Sequence, residues 1–261
     1  MPSTVLAQND AGVGVKNGFN FSDTKNLIGT FAPPVAVLND ASLLKSLSAR
    51  DRRAGLAEAV KVAAIRDKSF FAWMEAQAGP LSLFDEQASQ YAIARCAQLH
   101  LGQITRAGDP FETGSARPLD YGHWSAHKLE AMAGYSIRHG EAVAIGMALD
   151  ARYAVIVGML NESQAKRLVK LLEKLGFTLW HEALDTRNEH NHPSVFAGLE
   201  EFRQHLGGAL CVTLLSEIGI GKEVNVMDEK ALLDALDWLK QRAKGVERSQ
   251  PEMPCITATE G

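Results

Sequence analysis

Cysteine is scarce: Cys96, Cys211 and Cys255 are the only three in 261 residues. An odd number at wide spacing suggests neither a disulfide framework nor a CxxC metal knuckle, and a reducing cytoplasm suits such a chain. Basic blocks are also missing, and the formal net charge is −4. Phosphate backbones are gripped by clustered Lys and Arg, so the composition argues against a nucleic-acid surface and leaves small molecules or proteins as partners. No charged segment followed by an apolar stretch opens the chain. The most apolar segment, AVAIGMALDARYAVIVGML at 142–160, is interrupted by Asp150 and Arg152, which reads as a buried helix and not a membrane span. Internal repeats and the GxGxxG and GxxxxGK motifs are absent. What the chain has is apolar content: 46% hydrophobic residues can fill a substantial core, in one large domain or two smaller ones.

Residues 1–40 are rich in Gly and Asn, and their short apolar runs, TVLA at 4–7 and VAVL at 35–38, read as strands between loops. GVGVKNG at 12–18 is a glycine-rich turn, or an anion cradle of backbone N–H groups with Lys16 adding charge. Helical periodicity begins near Ala41 and runs to 246, and the aperiodic stretch 247–261 reads as a disordered tail. Ser48 or Asp51 is placed to cap a helix through RRAGLAEAVKVAAIRD. Glu58 and Lys61, three apart on it, are ordinarily a solvated surface pair. The apolar neighbours in LAEAV leave an inward carboxylate as the alternative, which would need a partner such as a metal. Further helices are expected at FFAWMEAQAG, at FDEQASQYAIARCAQLHLGQI with His100 near its end, at NESQAKRLVKLLEKLGF capped by Asn161, and at DEKALLDALDWLKQRAK capped by Asp228. GALCVTLLSEIGIGKEVNVMD alternates like a β-hairpin.

The chemistry gathers at RPLDYGHWSAHKLEAMAGYSIRHGE, residues 117–141, which holds three of the eight histidines. His123 and His127 are four apart in a helical segment and project from one face, and a Gly-containing turn brings His139 back toward them. Three imidazoles and a carboxylate from elsewhere make a zinc-type site. The alternative is a pair of helix-face histidines bonded to neighbouring carbonyls.

Five motifs in one order, TVLAQNDAGVGVKNG, KNLIGTF, AGLAEAVK, RPLDYGHWSAH and RHGEAVAIGMALDAR, resemble dehydroquinate synthase and its relatives, the sugar-phosphate cyclases. The set spans residues 3 to 152 and extends faintly to LLSEIGIGKEV. The resemblance implies a mainly α fold: a helical metal- and substrate-binding domain with a small β-hairpin at 41–246, preceded at 1–40 by a remnant of an α/β NAD-binding domain. It implies Glu58, His123 and His139 as ligands of zinc or cobalt. Lys61, Arg117 and His127 match positions that hold the substrate's carboxylate, phosphate or hydroxyls, and Asp10 and Lys16 match a loop touching substrate and cofactor. Thr4, Lys16, Lys25, Asn26, Leu43, Leu44, Lys45 and Ser46 would lie along bound NAD. A cytoplasmic homodimer acting on a sugar phosphate is implied as well.

Four departures from the dehydroquinate pattern qualify the resemblance. Asp120 stands where that pattern has Asn, His100 where it has Lys, and one residue fewer separates Arg117 from His123. The first two remove features suited to a carboxylated substrate and favour a heptose-type phosphate such as sedoheptulose 7-phosphate, cyclised by transient oxidation, phosphate elimination and aldol closure. Dehydroquinate synthase itself, and a non-catalytic metal-binding helical domain, are the alternatives. The fourth departure is that Met1 stands almost directly before the last strand of the family's NAD-binding domain. A separately supplied N-terminal half and exposed apolar edges in 1–40 are the consequences expected of it.

Overall fold

The structure, a computed structural model, describes residues 1–21, 24–32, 34–106, 118–205 and 208–247. Arg117 and the expected tail beyond 247 lie outside the described residues. The described part is mainly helical, as expected. Its centre is α6 (His139–Ile156), which is buried on nearly every face and is wrapped by α1 (Ala49–Arg66), α5 (His123–Met132), α7 (Glu162–Lys174) and α9 (Glu229–Glu247).

Small residues bring these helices unusually close. A Cβ on Gly140 would lie 1.8 Å from the Ala54 carbonyl oxygen of α1, and one on Gly146 would lie 2.0 Å from the Gly122 oxygen at the start of α5. Backbone therefore touches backbone at both crossings, and Glu58, His123 and His139 are drawn to one point. Helix α1 starts where Ser48 Oγ accepts from the Asp51 N–H at 3.1 Å. From Ala54 to Ile65 every residue is buried, so α1 is a core helix and not a surface one.

The remaining helices frame this centre. Asp67 accepts from the Ser69 and Phe70 amides and opens α2 (Lys68–Ala76), which is followed by α3 (Ala78–Ser82) and α4 (Glu86–Arg106). Asn161 caps α7, Asp228 Oδ1 accepts from Ala231 N at 2.7 Å in the first turn of α9, and α8 (Ala197–His205) lies beside α5. Strands β3 (Val212–Glu217) and β4 (Ile220–Val224) form the expected antiparallel hairpin, its turn pinned where Gly219 N donates to Ala64 O at 2.6 Å. Among the described residues no helix is long and apolar enough to cross a membrane.

The N-terminal segment departs from expectation. TVLA is not a strand: Val5 and Leu6 are helical and lead into a π-turn at Ala7–Ala11, with Thr4 Oγ1 accepting from Ala7 N at 3.1 Å. The reason lies fifty residues away. Gly55 has no side chain, so Val5 packs directly onto α1, while the Asn9 amide donates to the Gly55 oxygen at 2.7 Å. VAVL is not a strand either, and Val35 and Leu38 are exposed. The strands of this region are β1 (Lys16–Phe21) and β2 (Thr24–Phe31), paired antiparallel as a hairpin.

Candidate metal centre

Glu58 is completely buried on α1, and neither carboxylate oxygen accepts a hydrogen bond of good geometry. What faces it is charge and imidazole. Lys61, one turn on and 2% exposed, sets its ammonium against Oε2. His139 Nε2 lies 3.3 Å and His123 Nε2 3.8 Å from Oε1. Burial alone would raise the Glu58 carboxyl, but the Lys61 charge and the His139 imidazole hold it down to about 2. Burial likewise opposes the Lys61 ammonium, and the Glu58 and Asp10 carboxylates outweigh it and raise its pKa.

The two imidazoles are in different states. His123 Nδ1 is 3.1 Å from the Tyr121 carbonyl oxygen, which can only accept, so Nδ1 carries the proton and Nε2 a lone pair. Burial, then the positive charges of Lys61 and its histidine neighbours, push the His123 pKa well below its ordinary value. A lone pair thus points at a carboxylate oxygen, which is unfavourable unless a cation lies between them. His139 is placed between two carboxylates, with Nδ1 3.2 Å from Glu130 Oε2. Burial disfavours its charge, yet Glu130 and Glu58 raise its pKa to about 9. One nitrogen or oxygen from each of Glu58, His123 and His139 falls within 4.8 Å of the others. The completely buried carboxylate, the facing lone pair and the N/O donor set fit a divalent metal of the zinc type.

Around this set stand several of the other residues expected at the site. His127 is exposed, its ring centre 5.3 Å from that of His123 and 5.9 Å from that of His139. Asp10 lies in the Ala7–Ala11 turn with Oδ1 4.0 Å from Lys61 Nζ and 3.0 Å from His100 Nδ1. His100 lies in the last turns of α4 and is buried against Asp10. Asp120 closes a 3-10 turn, Pro118–Asp120, and its charge is felt by Lys61.

The positions expected along NAD fall in separate elements. Thr4 caps the N-terminal turn, Lys16 begins β1, and Lys25 and Asn26 lie near the start of β2. Leu43, Leu44, Lys45 and Ser46 belong to the 3-10 helix Ala41–Ser46. Leu44 and Lys45 line a cavity of about 140 Å³ with Arg52, Phe84, Ser89 and Ile93.

Sequence reasoning missed Glu130 and Asp150. Glu130 is buried on α5, three residues after His127 and seven after His123, and that spacing was the available signal. Asp150 is buried on α6, accepting from Trp124 Nε1 at 2.8 Å and Gly122 N at 3.1 Å, and so ties down the start of the helix that carries His123.

Residues 55–194 match the family described as 3-dehydroquinate synthase C-terminal, and residues 1–54 match that described as 3-dehydroquinate synthase N-terminal. The chain belongs to the dehydroquinate synthase family. A 3-dehydroquinate synthase of Xanthomonas oryzae pv. oryzae is 36% identical over 244 residues, covering 90% of this chain and 64% of the relative. One from Rhodopseudomonas palustris is 43% identical over 178 residues, covering 67% of this chain and 46% of the relative. The chain thus spans less than two thirds of the length of these curated relatives. Among solved structures, a 2-epi-5-epi-valiolone synthase from Streptomyces hygroscopicus subsp. jinggangensis, with NAD+ and Zn2+ bound, superposes with TM-score 0.83 at 30% identity, covering 92% of this chain and 65% of that one. A 2-deoxy-scyllo-inosose synthase superposes with TM-score 0.72 at 25% identity, covering 91% and 64%.

Proposed function

We propose that this chain is the metal- and substrate-binding part of a sugar-phosphate cyclase that converts a heptose-type phosphate, such as sedoheptulose 7-phosphate, to a carbocycle with loss of phosphate. The observation that carries the reading is the convergence of the His123 and His139 imidazoles on the completely buried Glu58 carboxylate. In this reading the three residues hold zinc or cobalt, residues 1–40 end a nucleotide-binding domain that meets NAD, and 41–246 form the helical domain followed by a tail. When bound, the metal supplies Lewis acidity at a substrate oxygen, and NAD supplies transient hydride acceptance and return.

The chain's own residues do the positioning. Lys61 and Arg117 offset the anionic charge of the substrate, and the exposed imidazole of His127 meets its hydroxyls. Asp10, held by His100 and Lys61, accepts from a substrate hydroxyl. Asp120 accepts from a hydroxyl where an amide would serve an anionic group better, and this favours a substrate without a carboxylate. The likeness to the valiolone synthase supports the same choice. A cytoplasmic homodimer is part of the proposal.

The test supplies the chain with an N-terminal α/β half, NAD and zinc, and compares sedoheptulose 7-phosphate with the dehydroquinate precursor. Phosphate release from the heptulose phosphate is expected, and its absence sinks the proposal. Release from the carboxylated precursor selects dehydroquinate synthase, the second reading, which the names of the curated relatives favour.

A further inference from the structure

The helix that carries His123 ends in a tight reversal. Tyr135 N donates to Glu130 O at 2.8 Å, and Gly134 and Tyr135 take φ of 57° and 59°. The chain turns back on itself, so His139, the first residue of α6, lies beside Glu130 on α5. Glu130 is buried, with Oε2 3.2 Å from His139 Nδ1, while the opposite nitrogen of the same ring faces Glu58 at 3.3 Å.

Two clusters share His139. One is Glu58, His123 and His139; the other is His127, Glu130 and His139, also with ligand atoms within 4.8 Å. They require opposite uses of the ring. A metal in the first takes Nε2 and leaves Nδ1–H for Glu130, whereas a metal in the second takes Nδ1 and leaves Nε2–H for Glu58. Burial decides between them. Glu58 is at 0% exposure with both oxygens lacking a good hydrogen bond, and its cluster contains a second imidazole whose lone pair already faces it. The other cluster includes the exposed His127, and its carboxylate already stands at hydrogen-bond distance from Nδ1.

We infer that Glu130 is a positioning residue for the metal: it accepts the Nδ1–H of His139, fixes the ring's tautomer and orientation, and presents Nε2 to the point shared by Glu58 and His123. A carboxylate behind a metal-bound imidazole holds the ligand in place and makes it more basic, and losing such a partner costs ten- to a hundredfold in metal affinity. The inference rests on the proposed metal site.

The experiment measures zinc dissociation constants, by competition with a chromophoric chelator, for the wild-type chain and for Glu130→Ala, Glu130→Gln and Glu58→Ala. It also records 15N–1H correlation spectra of the histidine rings with zinc bound. Glu130→Ala is expected to weaken zinc ten- to a hundredfold and to lose the exchange-protected Nδ1–H signal of His139. Glu130→Gln, whose amide oxygen still accepts, should recover most of the affinity and the signal. Glu130→Met, similar in length and without a strong acceptor, replaces the alanine variant if that does not fold. Unchanged affinity in Glu130→Ala or Glu130→Met, with zinc lost in Glu58→Ala, overturns this inference and leaves the metal site standing. Zinc retained in Glu58→Ala, or nitrogen shifts that place it on Nδ1 of His139, overturns both.

Discussion

Glu58 and Lys61 stand one turn apart on the buried helix α1, carboxylate against ammonium, with solvent reaching 0% of one and 2% of the other. Burial opposes both charges, yet Glu58 is held down to about 2 by Lys61 first and His139 next, and Lys61 is kept charged by Glu58 first and Asp10 next. Removing one partner of a buried pair strands the other charge and costs about 3–5 kcal/mol. Lys61→Met should therefore destabilise the metal-free chain by about that much in urea unfolding. If a cation belongs beside Glu58, zinc restores a large part of the loss, because it replaces the missing positive charge. Equal destabilisation with and without zinc contradicts the placement.

Zinc should also stabilise the unaltered chain by mass action. At a thousand times its dissociation constant a ligand specific for the folded state adds about 4 kcal/mol. The increment, read as a shift in the unfolding midpoint between chelator and saturating zinc, is expected to vanish in Glu58→Ala and His139→Ala. It should survive in His127→Ala, whose ring sits at the rim. An increment lost in His127→Ala would mean that the His123/His127 pair chelates directly.

Asp150 gives a pH signature of the opposite sign to that of Glu58. Burial raises its carboxyl to about 7, against the hydrogen bonds from Trp124 and Gly122 that favour the anion. With the folded pKa above the unfolded one, the folded chain binds the extra proton between about pH 4 and 7, so stability falls as pH rises through that window. A shift of about three units corresponds to about 4 kcal/mol. Asp150→Asn removes this slope while keeping an acceptor for the indole. The difference in unfolding free energy, variant minus wild type, should climb by up to about 4 kcal/mol from pH 4 to pH 8. A difference that stays flat would show that Asp150 ionises freely.

Much of this architecture was legible wherever the cause is local. The caps at Ser48, Asn161 and Asp228 act within a few residues, and the helix His123–Met132 follows from its own spacing. What escaped depends on distant partners. TVLA has the same few apolar residues whether it pairs in a sheet or packs on a helix, and only the gap at Gly55 makes the second choice available. His100 meets Asp10 across ninety residues of chain, and Glu130 finds His139 only after the reversal at Gly134 and Tyr135. The clustering of the metal-type residues was readable through the ordered motifs, whereas the tautomers and the buried charge balance need coordinates.

The closeness of α1 to α6 is what sets the distance from Glu58 to His139, and it rests on Gly140. A methyl group there would lie 1.8 Å from the Ala54 oxygen, a contact that only a shift of backbone can relieve. Gly140→Ala should cost about 1–3 kcal/mol or somewhat more, as overpacking does. It should also weaken zinc, since parting the helices moves the carboxylate away from the imidazole. Gly158→Ala is the control. Its φ is 74°, so alanine is strained there by about 1–2 kcal/mol, yet nothing lies within 4 Å of the added carbon. The two variants should thus lose comparable stability while only the first loses metal affinity. Equal zinc affinity in both would mean that the helix crossing does not set the site.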